Sequence, residues 1–271
     1  ERYYSMKPLI CVSICICEML LGSLEPIKLS MEDNSIDDMY SNCSPEMENE
    51  LGKFKDKTGL LNMKETSPIC QRVGGGNSAT GPLTTHEAKA ICLYTSDEWY
   101  QEFNNVVRSG KVSYGTNKFK FHALHYWLTT AVQKLNGGKC YTVYRRTKAE
   151  FTGEINQVIR FGSFASTSYK KDLMRFGRET CFKIRTCTGA YIAPYSEHKQ
   201  EEEVLIPPYE TFKITQIHSQ GQFEAMSDCK VVFVLENGCK KSYLDCKLIE
   251  KSNTKKKKSL WNLSWNCFRG R

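Results

Sequence analysis

Three segments of this 271-residue chain set charge or hydroxyl on short, β-rich, otherwise apolar stretches. They are Arg145 within residues 140–146 (Cys-Tyr-Thr-Val-Tyr-Arg-Arg), Ser166 within 160–168 (Arg-Phe-Gly-Ser-Phe-Ala-Ser-Thr-Ser), and Glu203, directly ahead of Val204-Leu205-Ile206. A guanidinium is a planar double donor that grips phosphate or carboxylate. A carboxylate clamped by a buried run and kept from water offsets positive charge that develops as a bond breaks. The set describes a cleft that holds an anionic ligand and stabilises a cation formed within it. Taken one at a time, the segments read more plainly. Glu201-Glu202-Glu203 is then a solvated acidic turn, and Ser166-Thr167-Ser168 is ordinary turn chemistry at a strand end.

Other chemistries find less support. No Gly-x-Gly-x-x-Gly occurs, which argues against a Rossmann dehydrogenase. The run Gly74-Gly75-Gly76-Asn77-Ser78 has no strand before it and no Gly-Lys-Ser/Thr after it, so it reads as a flexible connector. The cysteines show no Cys-x-x-Cys pair, so no zinc site is expected. His122 and His125 fall in a helical pattern and read as packing or surface groups. Five histidines yield no Ser-His-Asp set.

In their order along the chain, the three motifs resemble the arginine, serine and Glu-x-Glu signature of the vertebrate ecto-ADP-ribosyltransferases, from about Ser35 to Ile249. The resemblance implies an enzyme that uses NAD as donor substrate, modifies protein arginine side chains, and has no permanently bound cofactor and no metal. Such a reaction breaks the nicotinamide–ribose bond through an oxocarbenium-like transition state. Glu203 would be the catalytic carboxylate, acting with Arg145 and Ser166. Glu201, on the same face if the strand begins there, would hold the incoming guanidinium. In the family, Glu at this first position goes with arginine transfer and Gln with hydrolysis. The resemblance further implies NAD contacts at Tyr94, Arg145, Ser163 and Ser196, nicotinamide stacking on Phe176, and disulfides Cys43–Cys246 and Cys140–Cys187. One departure stands out. The family carries Arg-Gly where this chain has Arg145-Arg146, so a long side chain replaces a residue that lets backbone and ligand approach. Two rival functions stay open: NAD hydrolysis, with water as acceptor, and a catalytically silent extracellular binding protein of the same fold.

Helices must come first and strands after. Thr84-Thr85-His86-Glu87 is a capping box. Ala88, Ile91, Cys92 and Thr95 then keep helical spacing, continued by Trp99, Phe103, Val106 and Val107 to a stop at Gly110. Phe121, Leu124, Leu128, Ala131, Val132 and Leu135 carry a further helix to Gly137-Gly138. Beyond Cys140, runs at 140–146, 158–167, 180–186, 203–206, 211–217, 231–235 and 243–249 read as strands. Pro207-Pro208 ends the strand of Glu203. The class is α+β. By resemblance it is the ADP-ribosyltransferase fold, a helical N-terminal part followed by two facing, mainly antiparallel sheets that form an NAD cleft.

The ends have their own character. Residues 1–22 read as a signal peptide, with Met6 as start, Lys7 as positive region and residues 9–17 as apolar core. That run is short of the ~20 residues a membrane span takes. The catalytic domain is then 23–252, and 253–271 is a basic tail without the hydrophobic stretch of a glycolipid-anchor signal. Seven basic and no acidic residues follow position 250. Without them the net charge of +8 falls to about +1, so no nucleic-acid groove is expected in the body, and the tail suits heparin-like or anionic surfaces. Secretion also suits ten cysteines in the mature chain. Among them Cys229 and Cys239 flank a strand and can bridge, while Cys92 and Cys181 read as buried small hydrophobes. Asn42 and Asn262 head glycosylation sequons.

Overall fold

The computed structural model of the chain describes residues 25–63, 70, 73, 80–96 and 98–250. The expected signal peptide, the glycine run at 74–78 and the expected tail at 253–271, with Asn262 and Cys267, lie outside the described residues. Helices α1 (Ser44–Glu50), α2 (Thr85–Thr95), α3 (Tyr100–Ser109) and α4 (His122–Asn136) precede nearly all of the sheet. The capping box opens α2 as expected: Glu87 N donates to Thr84 Oγ1 at 3.2 Å, and Thr84 N donates to Glu87 Oε2 at 2.8 Å. The helical run expected to reach Gly110 unbroken is two helices, because Ser96 turns extended (ψ 149°) and caps α2. Gly137, with φ 57°, takes the left-handed conformation that closes α4.

The strands are β1 (Ile27–Lys28), β2 (Tyr141–Thr147), β3 (Phe151–Thr152), β4 (Val158–Ile159), β5 (Ala165–Ser168), β6 (Thr180–Thr186), β7 (Ala190–Tyr191), β8 (Glu203–Ile206), β9 (Glu210–Ser219) and β10 (Val231–Lys240). β1 and β3 pair by themselves; the other eight run β4-β9-β10-β6-β2-β5-β8-β7. All eight pair antiparallel except β10 with β6. One residue pair, Tyr144–Ser168, joins β2 to β5, whereas β2 and β6 pair along all of Tyr141–Thr147. At that seam the ladder all but ends. Five strands stand on one side and three on the other, which is how two facing sheets arise from one strand order. Arg145 leaves the first part beside the seam; Ser166 and Glu203 belong to the second.

Three expectations fail for definable reasons. The run 158–167 is interrupted. The Arg160 amide turns away to the Ser30 carbonyl, and Gly162 adopts φ 69° where a Cβ would lie 2.5 Å from the Glu32 side chain. Residues 243–249 form no strand, because their amides have other acceptors. Tyr243 N and Leu244 N donate to the buried Asp37 carboxylate, and Cys246 N donates to Asp38, each at 3.0 Å. A short helix α5 (Lys247–Glu250) follows. The third concerns cysteine pairing. Cys43–Cys246 and Cys140–Cys187 are bonded, as the resemblance implied, but so are Cys70–Cys92 and Cys181–Cys229. Cys229 and Cys239 bracket most of an extended ten-residue strand, roughly 30 Å at about 3.3 Å per residue, so they cannot meet. The parallel pairing of β6 and β10 instead brings Cys181 beside Val232 and within reach of Cys229. Cys239 is disulfide-bonded as well.

The two buried histidines belong to the helical core. His122 stacks on Phe54 at 3.8 Å, and His125 Nδ1 meets the Tyr40 hydroxyl at 2.8 Å. Burial pushes His122 down to about 4 and His125 to about 3, so both are neutral packing groups at physiological pH.

Candidate active site

A cavity of about 490 Å³ opens at the seam, within the size range of small-molecule sites. Tyr94, Arg145, Ser166, Phe176, Glu201 and Glu203 all line it. Glu203 is the first residue of β8 and only 4% exposed, since every residue of that strand is buried. Its Oε1 has no hydrogen-bond partner among the described residues. Burial raises its pKa from 4.5 to about 7, and the nearby Glu201 charge adds to this against the opposing pull of Ser166 and Arg145. A buried acceptor left without a donor is costly to the fold.

The hydroxyl run 166–168 divides its work. Ser166 Oγ lies 3.1 Å from the Tyr94 hydroxyl inside the cavity. Thr167 Oγ1 donates to the Val204 carbonyl and Ser168 Oγ to the Glu201 carbonyl, both at 2.5 Å, so they fix the backbone that carries the two carboxylates. Arg145 Nη1 donates to the Ser166 carbonyl at 2.6 Å, tying β2 to β5 across the seam. Tyr94 reaches this point from α2, donates to the Phe164 carbonyl at 3.3 Å and receives Asn104 Nδ2 at 3.3 Å.

Glu201 is not on the strand. It ends a 3₁₀ turn, Lys199–Glu201, and Glu202 takes the left-handed conformation (φ 50°) before β8 begins. Both carboxylates still line the one cavity. The simple alternation expected from sequence is replaced by a turn. Ser163 and Ser196 are not part of the cavity lining. Ser163 Oγ accepts from Arg108 Nη2 at 2.8 Å, and Ser196 Oγ accepts from His198 N at 2.9 Å. Residues not singled out from sequence also reach the cavity: Tyr100 and Gln101 from α3, Lys148 just after β2, Lys170 and His198. Lysines and a histidine in loops, and polar residues in the first turn of a helix, carry no periodic signal that would have found them.

Phe176 sits on a 3₁₀ turn, Met174–Phe176, and is 43% exposed at the cavity rim. The adjoining Gly177 is required there. Its φ is 132°, and a Cβ would stand 2.3 Å from the Thr147 carbonyl carbon, so only glycine lets this loop cross the end of β2. Arg146 holds the same loop. Its guanidinium is buried and bidentate to Asp228, at 2.9 and 3.0 Å, with Nη1 3.2 Å from Cys229 Sγ and Nε donating to the Lys171 carbonyl at 2.7 Å. Arg146 hydrogen-bonded to Asp228 holds that carboxyl below the usual range. The residue that replaces the family glycine is thus engaged in bracing the Phe176 loop.

A cleft whose two walls carry Arg145 on one side and Ser166 with a Glu-x-Glu pair on the other now stands on geometry as well as on sequence. The family model described as NAD:arginine ADP-ribosyltransferase matches residues 29–227. The chain belongs to the NAD:arginine ADP-ribosyltransferase family. Among curated members, it is 34% identical over 208 residues to NAD(P)(+)--arginine ADP-ribosyltransferase 2 of Gallus gallus, an alignment that covers 72% of this chain and 66% of that protein. It is 34% identical over 236 residues to T-cell ecto-ADP-ribosyltransferase 2 of Mus musculus, covering 79% and 77%. The crystal structure of the mono-ADP-ribosyltransferase ART2.2 superposes with a TM-score of 0.64 at 30% identity, over 82% of this chain and 99% of that one. A variant of ART2.2 solved in complex with NAD superposes with a TM-score of 0.62. The ADP-ribosyltransferase fold expected from the motifs is therefore the fold of this chain. Its four resolved disulfides belong to an oxidising compartment.

Proposed function

We propose that this chain transfers ADP-ribose from NAD to arginine side chains, with Glu203 as the catalytic carboxylate and Glu201 as the acceptor's partner. The observation that carries this is a buried carboxylate, Glu203, lining one cavity together with Glu201 and Arg145. Arg145, Lys148 and Lys170 all line the cavity and supply positive charge for the pyrophosphate. The Ser166 hydroxyl accepts from or donates to the ribose hydroxyls, the ionised Glu203 carboxylate accepts from them, and the exposed Phe176 ring offers the nicotinamide a face. As the bond from C1′ to the nicotinamide nitrogen breaks, its electron pair leaves with nicotinamide, and ionised Glu203 offsets the charge left on the ribose. A guanidinium nitrogen held by Glu201 forms the new C1′–N bond and loses one proton to that carboxylate and then to solvent. Secretion of the mature chain, and attachment of its basic tail to anionic surfaces, are part of the same proposal.

Incubation with labelled NAD and agmatine tests the reading. At saturating agmatine, nicotinamide release with ADP-ribosylated agmatine as the main product is expected. ADP-ribose alone would make the chain a hydrolase, and no nicotinamide at all would leave a silent binding fold.

A further inference from the structure

Glu201 already holds a guanidinium. Arg175 Nη2 lies against Glu201 Oε1 in an ion pair, and the Arg175 guanidinium packs over the Phe176 ring with its carbon 4.7 Å from the ring centre. The Arg175 side chain is 55% exposed and that of Glu201 18%, so a cation presented from solvent caps a carboxylate enclosed mostly by the cavity. Arg175 is placed there by a pinned loop. Arg146 Nε holds the Lys171 carbonyl at 2.7 Å, Lys170 Nζ holds the Gln200 carbonyl at 2.7 Å, and Arg178 Nε meets Asp228 at 3.2 Å. Gly177, packed on the Thr147 backbone, fixes the far end.

We infer that Arg175 is an internal competitor for the acceptor position on Glu201, a specificity-determining residue that an incoming arginine must displace. The inference rests on the function proposed above, in which Glu201 receives the acceptor. A half-exposed ion pair is weak, so displacement is easy for an arginine whose flanking residues add contacts at the cavity rim. A bare guanidine has nothing but the Glu201 pair to compete with, and water needs no displacement at all. Arg175 therefore favours arginines embedded in a protein surface over small free guanidines.

The test is the ratio of ADP-ribosylated agmatine to free ADP-ribose formed in one reaction at low agmatine. Both products come from the same bound NAD, so this ratio does not depend on how much enzyme is folded or how tightly NAD binds. In Arg175→Ala the ratio should rise about two- to fivefold, the range expected for losing an ion pair of this exposure. Arg175→Lys, which keeps the charge but not the planar fork, should fall between that variant and wild type. An unchanged or lower ratio in Arg175→Ala overturns the inference while leaving agmatine transfer, and hence the proposed function, intact. ADP-ribose found on Arg175 itself by peptide mass spectrometry, after incubation with NAD alone, also overturns it, because the residue would then be an acceptor. Wild type that makes no ADP-ribosylated agmatine removes the proposed function and the inference together.

Discussion

Replacing Glu203 by Gln should stabilise the protein while abolishing its chemistry. The carboxyl is 4% exposed, and burial raises its pKa from 4.5 to about 7. Each pH unit between those values is worth about 1.4 kcal/mol, so the ionised group costs the fold about 3 kcal/mol. The sign follows from the raised value. The cost is absent below about pH 4.5, grows as pH rises from 4.5 to 7, and is complete above 7. Glutamine is never charged. Denaturant unfolding of the oxidised protein at pH 8 should therefore show Glu203→Gln more stable than wild type by up to about 3 kcal/mol, with near equality at pH 4.5. Other buried acids, Asp38 among them, are common to both proteins and cancel in the difference. Wild-type transfer should rise with pH to a plateau above about 7, where Glu203 is ionised. Its loss in the variant should reach roughly a hundredfold or more. Equal stability at pH 8, or a less stable variant, would mean that Glu203 is not the destabilised carboxylate described above.

Four further outcomes follow from particular contacts. Glu201→Gln should lower transfer to agmatine while NAD hydrolysis persists, as read by product chromatography; equal loss of both would place Glu201 in the donor site. Arg146→Gly removes the bonds to the Lys171 carbonyl and the Asp228 carboxylate, so it should raise KM for NAD several-fold in initial-rate assays and lower unfolding stability by about 1–3 kcal/mol. Asp37→Asn strips the counter-charge from Arg160, both side chains being 0% exposed. That should cost about 3–5 kcal/mol in denaturant unfolding. Deleting the chain after Lys251 should leave NAD turnover unchanged and weaken salt-sensitive retention on heparin, because exposed charges are screened over about 8 Å at physiological salt.

Much of the site was legible because charge and hydroxyl interrupt apolar strands. Arg145, Ser166 and Glu203 each break such a run, and folding brings all three to the cavity lining. The capping box at Thr84 was equally plain, since its geometry is local. What the sequence hid depends on partners distant in the chain. The apolar pattern at 243–249 looks like a strand until Asp37 and Asp38, some two hundred residues earlier, take its amides. Cys181 and Cys229 meet only because β6 and β10 lie parallel in one register. The turn at Glu202 separates Glu201 from the strand through a single positive φ, which Glu seldom adopts and which no pattern announces. Arg146 looked like an obstruction beside Arg145, yet its side chain is bound to Asp228 and the Lys171 carbonyl. The depth at which Glu203 lies, and hence its raised pKa, required the packed fold.

If the seam between β2 and β5 is the donor site, residue 203 lies on the ribose of bound NAD. A crystal structure of Glu203→Gln with NAD tests it most directly, because the variant keeps the cavity and cannot consume the ligand. The nicotinamide ribose should lie within hydrogen-bond distance of residue 203 and Ser166, the pyrophosphate on Arg145, and the nicotinamide against Phe176. NAD bound away from the seam, or with its adenosine ribose at residue 203, would contradict it.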